Sequence, residues 1–175
     1  VEISSFRHAI MMLGYKRLKR WLALLLATAS KDVNLRPVMF AAVRRGLLME
    51  ELGRKSVDAE AHGEMFICGV FSLLDHLMGQ PFSELMKNVP VPARVQQSLL
   101  GDGPYTPHLA LVQAIEESSA PDIREAAERV MLAPSELNRA LLAALSLAWH
   151  YTQRFFFPAR VAAATGSALQ GAAEA

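Results

Sequence analysis

Between Glu64 and Met78 the chain is apolar almost all the way round a helix, so such a helix has no side to give to solvent. A segment of this kind has to lie at the centre of a body, which commits the neighbouring segments to covering it. They are suited to that task. The chain holds 27 Ala and 25 Leu against 21 Val, Ile and Thr together, a balance favouring residues that lose little side-chain freedom in a helix. The expected fold class is all-α. With 175 residues, 52% of them hydrophobic and 20% charged, the chain is one domain's length and carries ample apolar surface for a single core.

Punctuation along the chain divides it into helices. Ser4 or Ser5 can cap a first short helix that Gly14 ends near Leu13. A second runs from Tyr15 to about Thr28, with Leu18, Trp21, Leu22, Leu25, Leu26 and Ala29 on one face and Lys16, Arg17, Lys19 and Arg20 mostly opposite. Residues 32–37 read as a loop, and Val38 to about Leu52 as a third helix closed by Gly53 and the Arg54-Lys55-Ser56 run. Gly79 and Pro81 stop the central helix. Short helices are expected at 82–87 and 93–100, separated by Pro90 and Pro92, and longer ones at 106–117, 121–131 and 135–156. Ser119 and Asp122 have the spacing of a capping box, and Pro158 breaks or kinks the last helix. Residues 159–175 form an Ala- and Gly-rich tail.

Charge and cysteine content narrow the function classes. Eighteen basic residues against 17 acidic ones leave a formal charge of +1, which removes the broad positive field that non-specific nucleic-acid binding uses. Cys68 is the single cysteine, so neither an internal disulfide nor a Cys-rich zinc site can form, and a reducing cytoplasm is the expected compartment. The longest nearly unbroken apolar run, Trp21 to Ala29, falls far short of the roughly 20 residues that span a bilayer. Val1-Glu2-Ile3-Ser4 has neither an initiator Met nor a signal-peptide pattern, and reads as a cut inside a longer protein.

Two stretches carry a family resemblance. FRHAIMMLGYKRLKRWLALLL, residues 6–26, resembles the signature of HDOD domains, where a short helix ending in Leu-Gly leads into a basic helix bearing a Trp-Leu pair. FICGVFSLLDHLMG, residues 66–79, resembles the central helix of the same domains, in the version found behind a cyclic-di-GMP-type EAL domain of bacterial signalling proteins. The later PFSELMKNVPVPARVQQSLLGDG is similar to that subgroup too, so the resemblance covers residues 3 to about 155. It implies an HD-superfamily-like multi-helix bundle without a metal site, an HDOD-like domain over residues 1–158 lacking its usual entry helices. Setting Gly69-Val70-Phe71 on the Gly-Leu-Leu of an HD phosphohydrolase places Ser72 and Leu73 where the metal-binding His and Asp would stand. A hydroxyl and an alkyl chain there cannot replace an imidazole and a carboxylate.

Other chemistry finds little support in the residues. Asp75-His76 is the doublet in reverse, and neighbours on a helix point about 100° apart, so packing or capping explains the pair better than metal binding. His8, His62, His108 and His150 have no ligand spacing, Cys68 lies in the apolar stretch, and no nucleophile elbow or phosphate-cradling loop occurs. The expected function is therefore non-catalytic: a regulatory domain with no cofactor, docking an upstream EAL-like domain or other signalling proteins. Arg17, Arg20, Arg44 and Arg45 are the expected contact residues, suited to carboxylate or phosphate. Apolar surface near Phe6, Ile10 and Trp21 would be left uncovered or need a partner, for which a homodimer is one candidate, and Phe155-Phe156-Phe157 is either a further contact or part of the C-terminal core. The alternatives are a divergent HD-type phosphohydrolase using Asp75 and His76, and a nucleic-acid-binding module centred on the basic helix.

Overall fold

A computed structural model describes residues 33–54, 59–81, 83–85 and 91–156, in backbone alone at 33, 59, 60 and 151–156. Every regular element among the described residues is helical. A 3₁₀ turn, Val33–Leu35, enters α1 (Arg36–Gly53), followed by α2 (Ala59–Phe71) and the short α3 (Leu74–Met78). Then come α4 (Ala93–Leu100), α5 (Thr106–Glu116), α6 (Ala120–Arg129) and α7 (Pro134–Phe156). The architecture is an all-α multi-helix bundle.

α1 is the organising helix, packed along α2 on one side and α7 on another, with α5 also against it. α4 lies on α2, and α6 on α5. Met39 and Met49 of α1, Met65 and Cys68 of α2, and Leu111 and Val112 of α5 are at most 1% exposed. Each such aliphatic side chain contributes about 1.5–3 kcal/mol of burial free energy. α7 turns Ala140, Ala144 and Ala148 inward at i, i+4 and i+8, small residues that let it lie close to α1. The end of α1 shares a cleft with the start of α7, where Glu51, Leu52 and Arg54 face Leu132, Glu136, Arg139 and Ala140. The two helices therefore run antiparallel.

Several sequence expectations need adjustment. Residues 32–37 are not all loop: α1 already starts at Arg36, because Pro37 falls in the first turn, where its missing N–H is no loss. The apolar stretch from Glu64 to Met78 is two helices, broken at Ser72 and Leu73 and ended by Gly79 in the left-handed conformation (φ 63°). It is buried on all sides only from Gly63 to Val70, and Met78 is 52% exposed. Ser119 does stand at the N-cap of α6 in an extended conformation, but its hydroxyl bonds the Asp122 carboxylate rather than a backbone N–H. Glu136 makes the corresponding reach on α7, accepting from the Ala133 N–H at 3.2 Å. The expected helices within residues 1–32, the tail at 159–175, and Phe157 and Pro158 lie outside the described residues.

Candidate functional site

α1 and α2 cross where Gly46 meets Gly69. A Cβ on Gly69 would lie 2.7 Å from Gly46 Cα and 2.8 Å from the Arg45 carbonyl oxygen, closer than any real methyl can sit. The crossing delivers Arg45, the residue before Gly46, to the C-terminal end of α2. There its Nη1 donates to Ser72 Oγ at 2.7 Å, while Ser72 Oγ in turn donates to the Gly69 carbonyl at 2.7 Å. The other edge of the guanidinium lies on Glu116, at the last turn of α5: Nε donates to Oε2 at 3.2 Å, and Nη2 pairs with the same oxygen. Arg44 closes the set from outside, its Nη2 3.3 Å from Glu116 Oε1.

Ser72 also explains why the helix breaks. Its N–H still reaches back four residues to Cys68, but the Leu73 N–H bonds Val70 three residues back, the tighter pattern of a helix end. With its hydroxyl committed to the Gly69 carbonyl and to Arg45, Ser72 turns the chain before α3 begins. Leu73 packs its alkyl chain against the core. Ser72 and Leu73 thus hold a hydroxyl that accepts from a guanidinium and a packed hydrocarbon.

The ion cluster is well enclosed, with side-chain exposures of 10% for Arg45, 19% for Glu116 and 36% for Arg44. One carboxylate is shared by two guanidiniums, a charge-assisted arrangement stronger than neutral hydrogen bonds. It ties the middle of α1, the end of α2 and the end of α5 together. Of the expected contact residues Arg17, Arg20, Arg44 and Arg45, Arg45 is buried and Arg44 is half-turned toward Glu116. Adjacent residues on a helix diverge by about 100°, so one of the pair goes in and the other stays at the rim. Arg17 and Arg20 lie outside the described residues.

The remaining candidates are dispersed. Asp75 and His76 bind each other on the surface at the start of α3, with His76 N–H and Nδ1 2.8 and 2.7 Å from Asp75 Oδ1. Partial burial pushes the Asp75 carboxyl up, but the His76 hydrogen bonds and charge outweigh it and hold the group below the usual carboxylate range. His150 is exposed on α7 beside the Ser146 carbonyl. Among the described residues, His62 Nε2 and His108 Nδ1 are buried without a hydrogen-bond partner, and burial pushes the His108 imidazole below its ordinary value. Burial alone pushes the Cys68 thiol up to about 12, so it packs as a small apolar group. No group of three or more His, Cys, Asp or Glu side chains among the described residues is placed to hold a metal ion. No helix among them is long and apolar enough to cross a membrane.

A second polar cluster, with no sequence motif to mark it, lies between α2 and α4. Glu64, buried on α2, accepts the Tyr105 hydroxyl and pairs with Arg94 Nε at 2.8 Å, joining α2 to α4 and the turn before α5. Nearby, Ser98 Oγ accepts the Tyr105 N–H at 2.9 Å and donates to the Arg94 carbonyl at 2.7 Å. The Glu116 cluster did leave a sign: Glu116 and Glu117 end α5, where the helix dipole disfavours an anion unless a cation compensates.

No family model matches the chain, and no solved structure matches it. An uncharacterized protein of Bacillus subtilis (strain 168), YuxH, is 32% identical over 125 residues. The match takes in 67% of this chain and 30% of the relative, so the chain spans less than a third of the protein it resembles.

Proposed function

We propose that the chain is an HDOD-like regulatory domain that recognises another domain or protein and carries out no chemistry of its own. In this reading it transmits the state of an upstream, EAL-like module of a bacterial cyclic-di-GMP signalling protein in the cytoplasm. The sequence resemblance motivates the reading, and a match to less than a third of a longer relative is in keeping with a domain that works beside others.

The observation that carries it is the Arg45–Ser72 bond. A hydrolytic HD site needs a divalent cation at this end of the central helix. Arg45 instead donates to Ser72 at this end, and the carboxylate that pairs with it is shared with Arg44, which supports a reading without metal chemistry. What such a junction can do is hold three helices in register and pass a displacement of one to the others. Contact with the partner then falls to the rim residue Arg44 and to Arg17 and Arg20.

The test is to express the remainder of the native reading frame separately, titrate it with this chain, and follow both binding and phosphodiester hydrolysis. Saturable binding that alters the hydrolytic rate of the other part, weakened at least about tenfold by Arg17→Glu with Arg20→Glu, is the expected result; tenfold corresponds to about 1.4 kcal/mol. No binding, together with phosphodiester hydrolysis by this chain alone, would overturn the proposal.

A further inference from the structure

The cleft between the end of α1 and the start of α7 has a volume of about 570 Å³, within the roughly 300–1,000 Å³ of sites that hold small molecules. Its apolar part is made by Leu52, Ala140 and Leu132. Leu52 and Ala140 belong to the core. Leu132 is delivered by the end of α6, where Met131 takes the left-handed conformation (φ 53°) and the Leu132 N–H returns to the Ala127 carbonyl at 2.9 Å. That closed turn is a common way for a helix to end, and it fixes this wall of the cleft before anything enters.

The charges around the apolar part do not all face outward. The Glu51 side chain is only 7% exposed and holds Arg54 Nη1 at 3.3 Å. Glu136 turns back on the start of α7 and accepts the Ala133 N–H at 3.2 Å, where the positive end of the helix dipole also favours it. Both carboxylates are thus committed within the protein. The guanidiniums are not. Arg54 keeps 68% of its side chain exposed. Arg139, exposed on α7 three residues after Glu136, has no ion pair or hydrogen bond to another described residue.

A ligand suited to this arrangement offers a negative group to the two arginines and hydrocarbon to Leu52, Leu132 and Ala140. Charge limits the negative group. Two guanidiniums and two carboxylates leave the cleft formally neutral, so a phosphate dianion would build up excess negative charge there, whereas a carboxylate adds a single charge and fits the planar fork of a guanidinium. We propose that the cleft binds a small organic monoanion, a carboxylate on an apolar body, with its oxygens on Arg139 and Arg54 and its body on the two leucines and Ala140. Seated there, it bridges the end of α1 and the start of α7.

Hexanoate is a direct probe, titrated into the full chain at constant ionic strength while backbone amide shifts are followed by NMR. Hexanamide lacks the charge, hexylammonium reverses it, and acetate lacks the apolar body. Hexanoate should shift the amides of residues 51–54 and 132–140 saturably, with an affinity at least about fivefold above each of the three counterparts. Arg139→Gln should lower that affinity by at least about fivefold and leave the urea midpoint unmoved, because Arg139 holds no other described residue in place. Shifts that stay linear to the highest hexanoate concentration would overturn the proposal. So would equal binding of hexanamide, hexylammonium or acetate, or an undiminished affinity in the Arg139→Gln chain.

Discussion

Gly69 lies against Gly46 with no space for a methyl group between them, and that contact sets where Arg45 ends up. The position of the guanidinium depends on how closely α1 and α2 approach. Gly69→Ala should therefore destabilise the fold by about 1–3 kcal/mol, the range for overpacking a well-filled interior. Urea denaturation monitored by circular dichroism measures it. An unchanged midpoint would mean the helices can part without cost, and that the Arg45 position is not dictated by the crossing.

The Arg45–Glu116 pair should behave as a coupled unit. Arg45→Met leaves Glu116 largely enclosed with only Arg44 to balance it, and should cost toward the lower end of the roughly 3–5 kcal/mol typical of broken buried pairs. Adding Glu116→Leu removes the stranded carboxylate and should recover a good part of the loss. A double-mutant cycle in urea reads the coupling directly. Strictly additive losses would show that the two side chains share no interaction worth measuring.

Much of the helical layout is readable from local chemistry, and the exceptions share a cause. α4 begins after Pro92 and ends at Gly101, and α5 follows its turn cluster, because caps and breakers act within a few residues. The break at Ser72 has no such local marker. It depends on a guanidinium 27 residues away, and a run of apolar residues looks the same with or without it. Arg44 and Arg45 likewise read as one basic surface, since composition cannot say which of two neighbours turns inward. Pro37 is equally at home in a loop and in a first helical turn, so by itself it marks either.

Acid should weaken the fold through His108. Burial lowers its affinity for a proton in the folded chain, so as pH falls below the ordinary imidazole value of 6.5 the unfolded chain takes up that proton first. Stability from this group is complete above that value and declines as pH drops toward the lowered folded value. His108→Gln should flatten the dependence of the urea midpoint on pH across that window. An unaltered slope would place the effect on other groups.

Cys68 should be inert while the chain is folded. With the thiol pushed up to about 12 and no exposed surface, it should resist alkylation at neutral pH and react promptly once urea unfolds the core. Mass spectrometry after iodoacetamide treatment distinguishes the two states. Rapid labelling without denaturant would mean that α2 opens readily from the bundle.

On the proposed reading Arg45 and Glu116 stand where an HD-type hydrolase would hold its metal, and metal analysis tests that reading most directly. Protein purified without chelator and then equilibrated with Mn²⁺, Fe²⁺ or Zn²⁺ should retain far less than one equivalent per chain. Its melting temperature should not move, because an ion that does not bind the folded state cannot stabilise it. One tightly held equivalent that raises the melting temperature and is lost in Glu116→Ala would contradict the claim.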